Sequence, residues 1–130
     1  MPDVVTNTPT DAPAPIGPYN HIARVGNFIT IGAVAGVDPG TGELISTGVG
    51  DQTRQILKNM AALLRTVNSD FEHVVRVNVF LRRMSDFSEM NRAYAECMGA
   101  HYPARTVIGV CELPKQGALL TMNLTAVTRD

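Results

Sequence analysis

A chain of 130 residues can close one hydrophobic core but is too short for two ordinary domains. Hydrophobic residues at 45% and charged residues at 18% give a globular balance, which excludes a disordered chain and a coiled coil. Eleven basic residues face twelve acidic ones for a net charge of −1, and basic residues cluster nowhere beyond Arg82-Arg83. With three Tyr, four Phe and no Trp there is no base-stacking platform either, so nucleic acid is an unfavoured partner.

No apolar run approaches the ~20 residues of a membrane span. Acid, proline and threonine occupy the N-terminus, where a secretory signal would place basic and then apolar residues. The expectation is a cytoplasmic protein without a membrane partner. Cys97 and Cys111 form no CxxC pair and read as core residues. His21, His73 and His101 are scattered, so no metal site and no cofactor is expected.

Five of the eight prolines fall within the first 18 residues, so residues 1–15 read as an extended arm without regular structure and residues 16–130 as the single domain. Ile16-Gly17-Pro18-Tyr19 turns the arm into the domain. The apolar runs Ile22 to Val25 and Phe28 to Val34 are separated by Gly26-Asn27, the turn chemistry of a two-residue β-hairpin. Gly32 and Gly36 interrupt the second strand, marking a bulge or a close approach of a ligand or another backbone. Asp38 to Gly42 is a loop. Asp51 predicts an N-cap, and Ile56, Leu57, Met60, Leu63, Leu64 and Val67 recur at helical spacing behind it. Val75, Val77, Val79 and Leu81 then alternate with their neighbours, which predicts a strand with one wholly apolar face. Asp86 and Glu89 form a capping-box pattern ahead of Phe87, Met90, Tyr94, Cys97 and Met98, a second amphipathic helix that ends at Gly99.

Pro103 fixes its own φ and biases Tyr102 toward extended geometry, so a strand begins there. Thr106 to Val110 is β-branched and apolar and suits a buried strand, with Arg105 at its start. That arginine either grips an anion, pairs with a carboxylate of its own chain, or lies solvated at a strand end. Leu113 to Gly117 is a turn, and Ala118 to Val127 a last strand with Leu120, Met122, Leu124 and Ala126 on one face. The order ββαβαββ predicts an α/β (α+β) domain in which two helices cover one face of a sheet of about four to six strands. Its other face would be an apolar patch that packs against copies of the same chain.

The pieces Ile16-Gly17-Pro18-Tyr19, Val25-Gly26-Asn27, Thr41-Gly42-Glu43, Gln52-Thr53-Arg54-Gln55, Val79-Phe80-Leu81, Asp86-Phe87, Tyr102-Pro103-Ala104-Arg105 and Leu113-Pro114-Lys115 occur in that order over residues 12–128. In order and spacing the chain resembles a divergent member of the Rid (YjgF) family, once named for an endoribonuclease. The resemblance implies a chorismate-mutase-like fold with a mixed sheet, a homotrimer, and clefts between adjacent subunits. It also implies hydrolysis of enamines and imines that bear a carboxylate, giving 2-keto acids and ammonia. By the same resemblance Arg105 binds the substrate carboxylate, Tyr19 lines the pocket, and the Gly32 backbone lies against the ligand.

Three departures bear on the chemistry. Ile31-Gly32-Ala33 stands where archetypal members carry Ser-Gly-Gln, and Val107 where they carry a cysteine, so the substrate-binding set Tyr19, Ile31, Gly32, Ala33, Arg105 and Val107 makes a more apolar pocket. The family's glutamate, thought to hold or activate the attacking water, aligns with Thr121 if one residue is inserted near Gln116, and with Leu120 otherwise. Threonine orients water but does not take its proton near pH 7. Glu112 is a substitute carboxylate if the strand turns it inward. Two functions follow: a deaminase, with Arg105 and Thr121 as its catalytic residues, acting on a larger or less polar acid than 2-aminoacrylate; or a small-carboxylate sensor or carrier without chemistry. The charge balance and aromatic count disfavour a ribonuclease.

Overall fold

The computed structural model describes residues 3–130. Its elements are β1 (Val5–Asn7), β2 (Ile22–Val25), β3 (Phe28–Ala35), α1 (Val49–Arg65), β4 (Val74–Leu81), α2 (Phe87–Met98), β5 (Ala104–Gly109) and β6 (Leu120–Val127). They build one mixed six-stranded sheet in the order β1-β2-β3-β6-β4-β5. Every neighbouring pair is antiparallel except β4 and β5, and those two are joined through α2, the kind of crossover that parallel neighbours require.

The predicted hairpin forms, with Val25 opposite Phe28 and Gly26 at φ 57° in the turn. Ile29, Ile31 and Val34 of β3, Val77, Val79 and Leu81 of β4, and Leu120, Met122 and Leu124 of β6 are buried beneath the two helices. From α1 the same core receives Ile56, Leu57, Met60, Leu63 and Leu64, and from α2 Met90, Tyr94 and Met98. No helix among the described residues is long and apolar enough to cross a membrane.

Several expectations give way to tertiary context. The arm is extended, but Val5–Asn7 pair with Ile22 to Arg24 as an edge strand, so part of it joins the sheet; its first two residues lie outside the described residues. Helix α1 starts at Val49 with Gly48 as its N-cap, two residues ahead of Asp51. Asp51 sits instead in the first turn, where its charge suits the helix dipole and Arg54 bonds it at 3.1 Å. Asp86 does cap α2, yet its side chain makes no capping bond, and the Glu89 carboxylate accepts the Gly50 N–H at 3.2 Å instead. The capping-box glutamate thus serves the start of the neighbouring helix.

Val75 is exposed because the β4–β6 register shifts between Val74 and Arg76, which breaks the apolar alternation at that end. Strand β5 is an edge rather than a buried strand, and Ile108 is 47% exposed. Strand β6 begins at Leu120, after Ala118 and Leu119 have closed the turn. The uncovered face is mixed rather than uniformly apolar: Phe28, Val127 and Ile108 are exposed, but Asn78 bonds Asn123 at 2.9 Å and Arg76 bonds Thr106 at 2.8 Å along the same surface. Cys97 packs against the core while Cys111, in the loop after β5, is exposed.

Two buried contacts fix how α1 lies on the sheet. A Cβ on Gly36 would come within 2.7 Å of the Gln52 carbonyl oxygen and 2.8 Å of its Cα, so the strand end and the helix touch backbone to backbone. The fully buried Gln52 amide then donates to the carbonyls of Ser46 (2.9 Å) and Gly117 (3.4 Å) and accepts the Leu119 N–H (2.8 Å). One side chain therefore ties α1 to the turn that leads into β6.

Candidate functional site

Strand β3 shifts register against β6 between Ile31 and Val34, so the expected bulge falls at Gly32-Ala33. The Gly32 N–H donates to the His21 carbonyl at 2.9 Å, which holds the bulge against the start of β2. A cavity of about 340 Å³ opens beside it. Tyr19, Gly32, Ala33, Lys115 and Thr121 line it, and Pro13 and Ala14 of the arm with Ile16 just beyond it form one wall. Thr121 lies between Leu120 and Met122, both buried under the helices, so strand alternation turns its hydroxyl the other way, to the cavity side. Of the two alignments left open by sequence, the one through Thr121 puts a side chain on the cavity wall, and Leu120 belongs to the core.

The Tyr19 oxygen accepts the Ile16 N–H at 3.3 Å, which folds the arm over the cavity and leaves the phenol proton free to donate. His21, on the same wall, is buried. Its Nε2 lies 2.7 Å from the Pro13 carbonyl, so Nε2 carries the proton and donates. Its Nδ1 has no partner and almost no accessible surface. That nitrogen is sealed from the cavity, and His21 pins the arm to the sheet rather than serving as a base.

Arg105 lies elsewhere in the chain. In the parallel register Arg105 pairs with Val77 and Val107 with Val79, so both point to the helix side, and Val107 packs against the core. Strands β3 and β5 are separated by β6 and β4, which puts Arg105 roughly 14 Å from the cavity strand. Its guanidinium carbon sits 4.8 Å from the centre of the Tyr94 ring and 6.0 Å from that of Phe87. No carboxylate among the described residues lies within ion-pair distance of it. Arg105 is therefore half-buried on aromatic faces, neither paired within its chain nor a free strand end.

Beside it, on the same face of α2, burial raises the Tyr94 phenol above its ordinary range while the charge of Arg105 opposes the rise slightly, so the hydroxyl stays a neutral donor. The Tyr94 hydroxyl and the Asn91 carbonyl oxygen are both buried without partners.

The predicted residues thus divide. Tyr19, Gly32, Ala33 and Thr121 meet at the cavity; Arg105 and Val107 stand on the other side of the sheet; Ile31 points into the core and reaches neither. Glu112 is exposed outside the cavity lining. Sequence reasoning missed Lys115, Asn91 and Tyr94. Lys115 ends a Leu-Pro-Lys piece that reads as an ordinary turn, and Tyr94 reads as one more position on an amphipathic face.

A family model described as Endoribonuclease L-PSP matches residues 9–128, nearly the whole chain. The chain belongs to this family, the Rid (YjgF) family. A RutC family protein of Pyrococcus horikoshii is 43% identical over 105 residues, which cover 81% of this chain and 83% of that protein. The human protein named 2-iminobutanoate/2-iminopropanoate deaminase is 36% identical over 116 residues, 89% of this chain and 84% of its own length. The crystal structure of the YjgF gene product of E. coli superposes with a TM-score of 0.87 at 30% identity, covering 96% of this chain and 99% of that one. This Rid protein thus shares its fold with the YjgF gene product and most of its length with a relative that carries a deaminase name.

Proposed function

We infer that the protein is an imine and enamine deaminase that works as a homotrimer, with Arg105 of one subunit completing the cavity of the next. The observation that carries the reading is the 36% identity over 89% of the chain to a protein named for this reaction. The geometry supports it in two ways. No carboxylate among the described residues of its own chain neutralises Arg105, and the donor-lined cavity faces away from Arg105 within one chain. A second copy is the simplest way to bring the two together.

The reaction is R–C(=NH)–COO⁻ + H₂O → R–C(=O)–COO⁻ + NH₃. Arg105 grips the carboxylate with two parallel hydrogen bonds. Thr121 and the Tyr19 hydroxyl orient water toward the imine carbon. Addition forms a C–O bond as one water proton passes to nitrogen; the remaining hydroxyl proton then passes to the amino group, the C–N bond breaks and ammonia leaves as the carbonyl forms. The protonated imine is already a strong electrophile, so the step proceeds with a threonine where a carboxylate would accelerate it further. The apolar walls provided by Ala33, Val34 and Val37 favour a substrate bulkier than 2-aminoacrylate.

The purified protein should speed decay of 2-iminobutanoate generated in situ by an amino-acid oxidase, and Arg105→Ala should lose about 100-fold or more of kcat/KM. Equal decay with and without protein rejects the activity, and equal rates in the two proteins reject the role of Arg105. A second reading, a carboxylate-binding protein without turnover, is favoured by one observation: none of the described residues lining the cavity is a carboxylate that could act as a base. Thermal stabilisation by 2-oxobutanoate with no imine hydrolysis would select it.

A further inference from the structure

Among the described residues that line the cavity, Lys115 alone carries a charge. It forms no ion pair with any described carboxylate. The other side-chain donors among the described lining residues are the hydroxyls of Tyr19 and Thr121 and the amide of Asn20, whose oxygen is taken by Thr8 at 3.0 Å, so the described wall is rich in donors and carries no anion. A cation on a largely apolar wall is satisfied by an anionic ligand.

Lys115 is also held in place. The Ala118 N–H donates to the Lys115 carbonyl at 3.1 Å, and the buried Gln52 amide fastens Gly117 and Leu119 just beyond it. A turn fixed in this way loses little freedom when its side chain closes on a ligand. The cavity of about 340 Å³ also leaves room beyond a four-carbon imino acid.

We propose that Lys115 is a specificity residue that binds a second carboxylate, so that the preferred ligands of this site are dicarboxylates: the imines of 2-oxo diacids and the 2-oxo diacids themselves. This rests on the reading in which Arg105 of a neighbouring subunit holds the first carboxylate. One cation then grips each end of the ligand, and the reacting C=N bond lies at the Arg105 end, near Thr121. A 2-imino diacid is what oxidation of an acidic α-amino acid yields, so the class of reaction that supplies this site is amine oxidation of such an acid.

Calorimetric titration of the full-length protein with 2-oxoglutarate and with 2-oxobutanoate tests it. Wild type should bind the diacid about tenfold more tightly, Lys115→Met should bring the ratio close to one, and Lys115→Arg should keep most of the preference. Thermal unfolding of both variants confirms that the fold is intact, and Lys115→Arg guards against a merely structural effect. Equal affinities in wild type, a preference that survives Lys115→Met, or no diacid binding at millimolar concentration each overturn the proposal. The deaminase reading is scored separately on 2-iminobutanoate: lack of hydrolysis with the diacid preference intact ends that reading and leaves the Lys115 assignment standing.

Discussion

The Arg105 end of the sheet and the cavity end are built in opposite ways. At β5 a fixed cation rests on the faces of Tyr94 and Phe87, among buried polar atoms that find no partner. At β3 a roomy space is lined by small and apolar side chains, with the donors of Tyr19, Asn20, Lys115 and Thr121 around it. The first has charge and little space; the second has space and little charge. Each looks like half of a site, and the sheet of the same chain stands between them. In the proposed trimer a second copy would bring the two halves together.

The strongest test of that division is complementation. Gly32→Leu should fill the cavity without disturbing the strand, because a Cβ there meets nothing nearer than 4.0 Å. Arg105→Ala and Gly32→Leu should each lose about 100-fold in imine hydrolysis, and co-expression should recover a clear fraction, since some clefts combine an intact Arg105 with an open cavity. If the mixture stays as slow as its parents, the site lies within one chain.

A smaller effect sharpens the chemistry of the cavity side. Thr121→Glu places a carboxylate beside the water and should raise turnover roughly 10- to 100-fold at neutral pH while leaving Arg105 untouched. A wild type already fast enough to gain nothing would show that no base is missing.

Stability separates the two ends further. Gly36→Ala drives a methyl group into the Gln52 backbone and should cost about 2–3 kcal/mol, lowering Tm by roughly 10 °C. A Tm within about 1 °C of wild type would mean that α1 yields easily at this contact.

The smallest effect belongs to Asp70, remote from both halves. Its hydrogen bond from His73 at 2.7 Å holds the carboxyl below its ordinary range, helped by Arg129. A depressed folded-state value stabilises the fold above the carboxylate range, and this is lost as pH falls through it. Asp70→Asn should lower Tm by about 1 °C at neutral pH, the difference closing in acid; a gap that widens on acidification contradicts the sign.

The fold was legible wherever local pattern and burial agree. The Gly26-Asn27 hairpin, both amphipathic helices and the alternation of β6 could be read directly, because one side of each is committed to a single core. The failures share a cause. An apolar run such as Thr106 to Gly109 looks alike at the centre and at the edge of a sheet, and Val5–Asn7 become a strand only because β2 offers them an edge. At the site, Tyr19, Gly32 and Thr121 were found through the family pattern. Ile31 does not line the cavity because it alternates in step with Ile29 toward the core, ahead of the bulge at Gly32-Ala33. Lys115 escaped notice because a lysine in a turn looks solvated until the arm and β3 are seen to wall in the space beside it.

The Gln52 clamp has an evolutionary consequence. Each of its hydrogen bonds ends on a main-chain atom, at Ser46, Gly117 or Leu119. The path of the turn after β5 is thus decided by the helix, and the side chains displayed there can be exchanged without moving it. Substituting position 115 would rewrite which acids enter the cavity at little risk to folding, so this chain separates the inheritance of its frame from the inheritance of its selectivity.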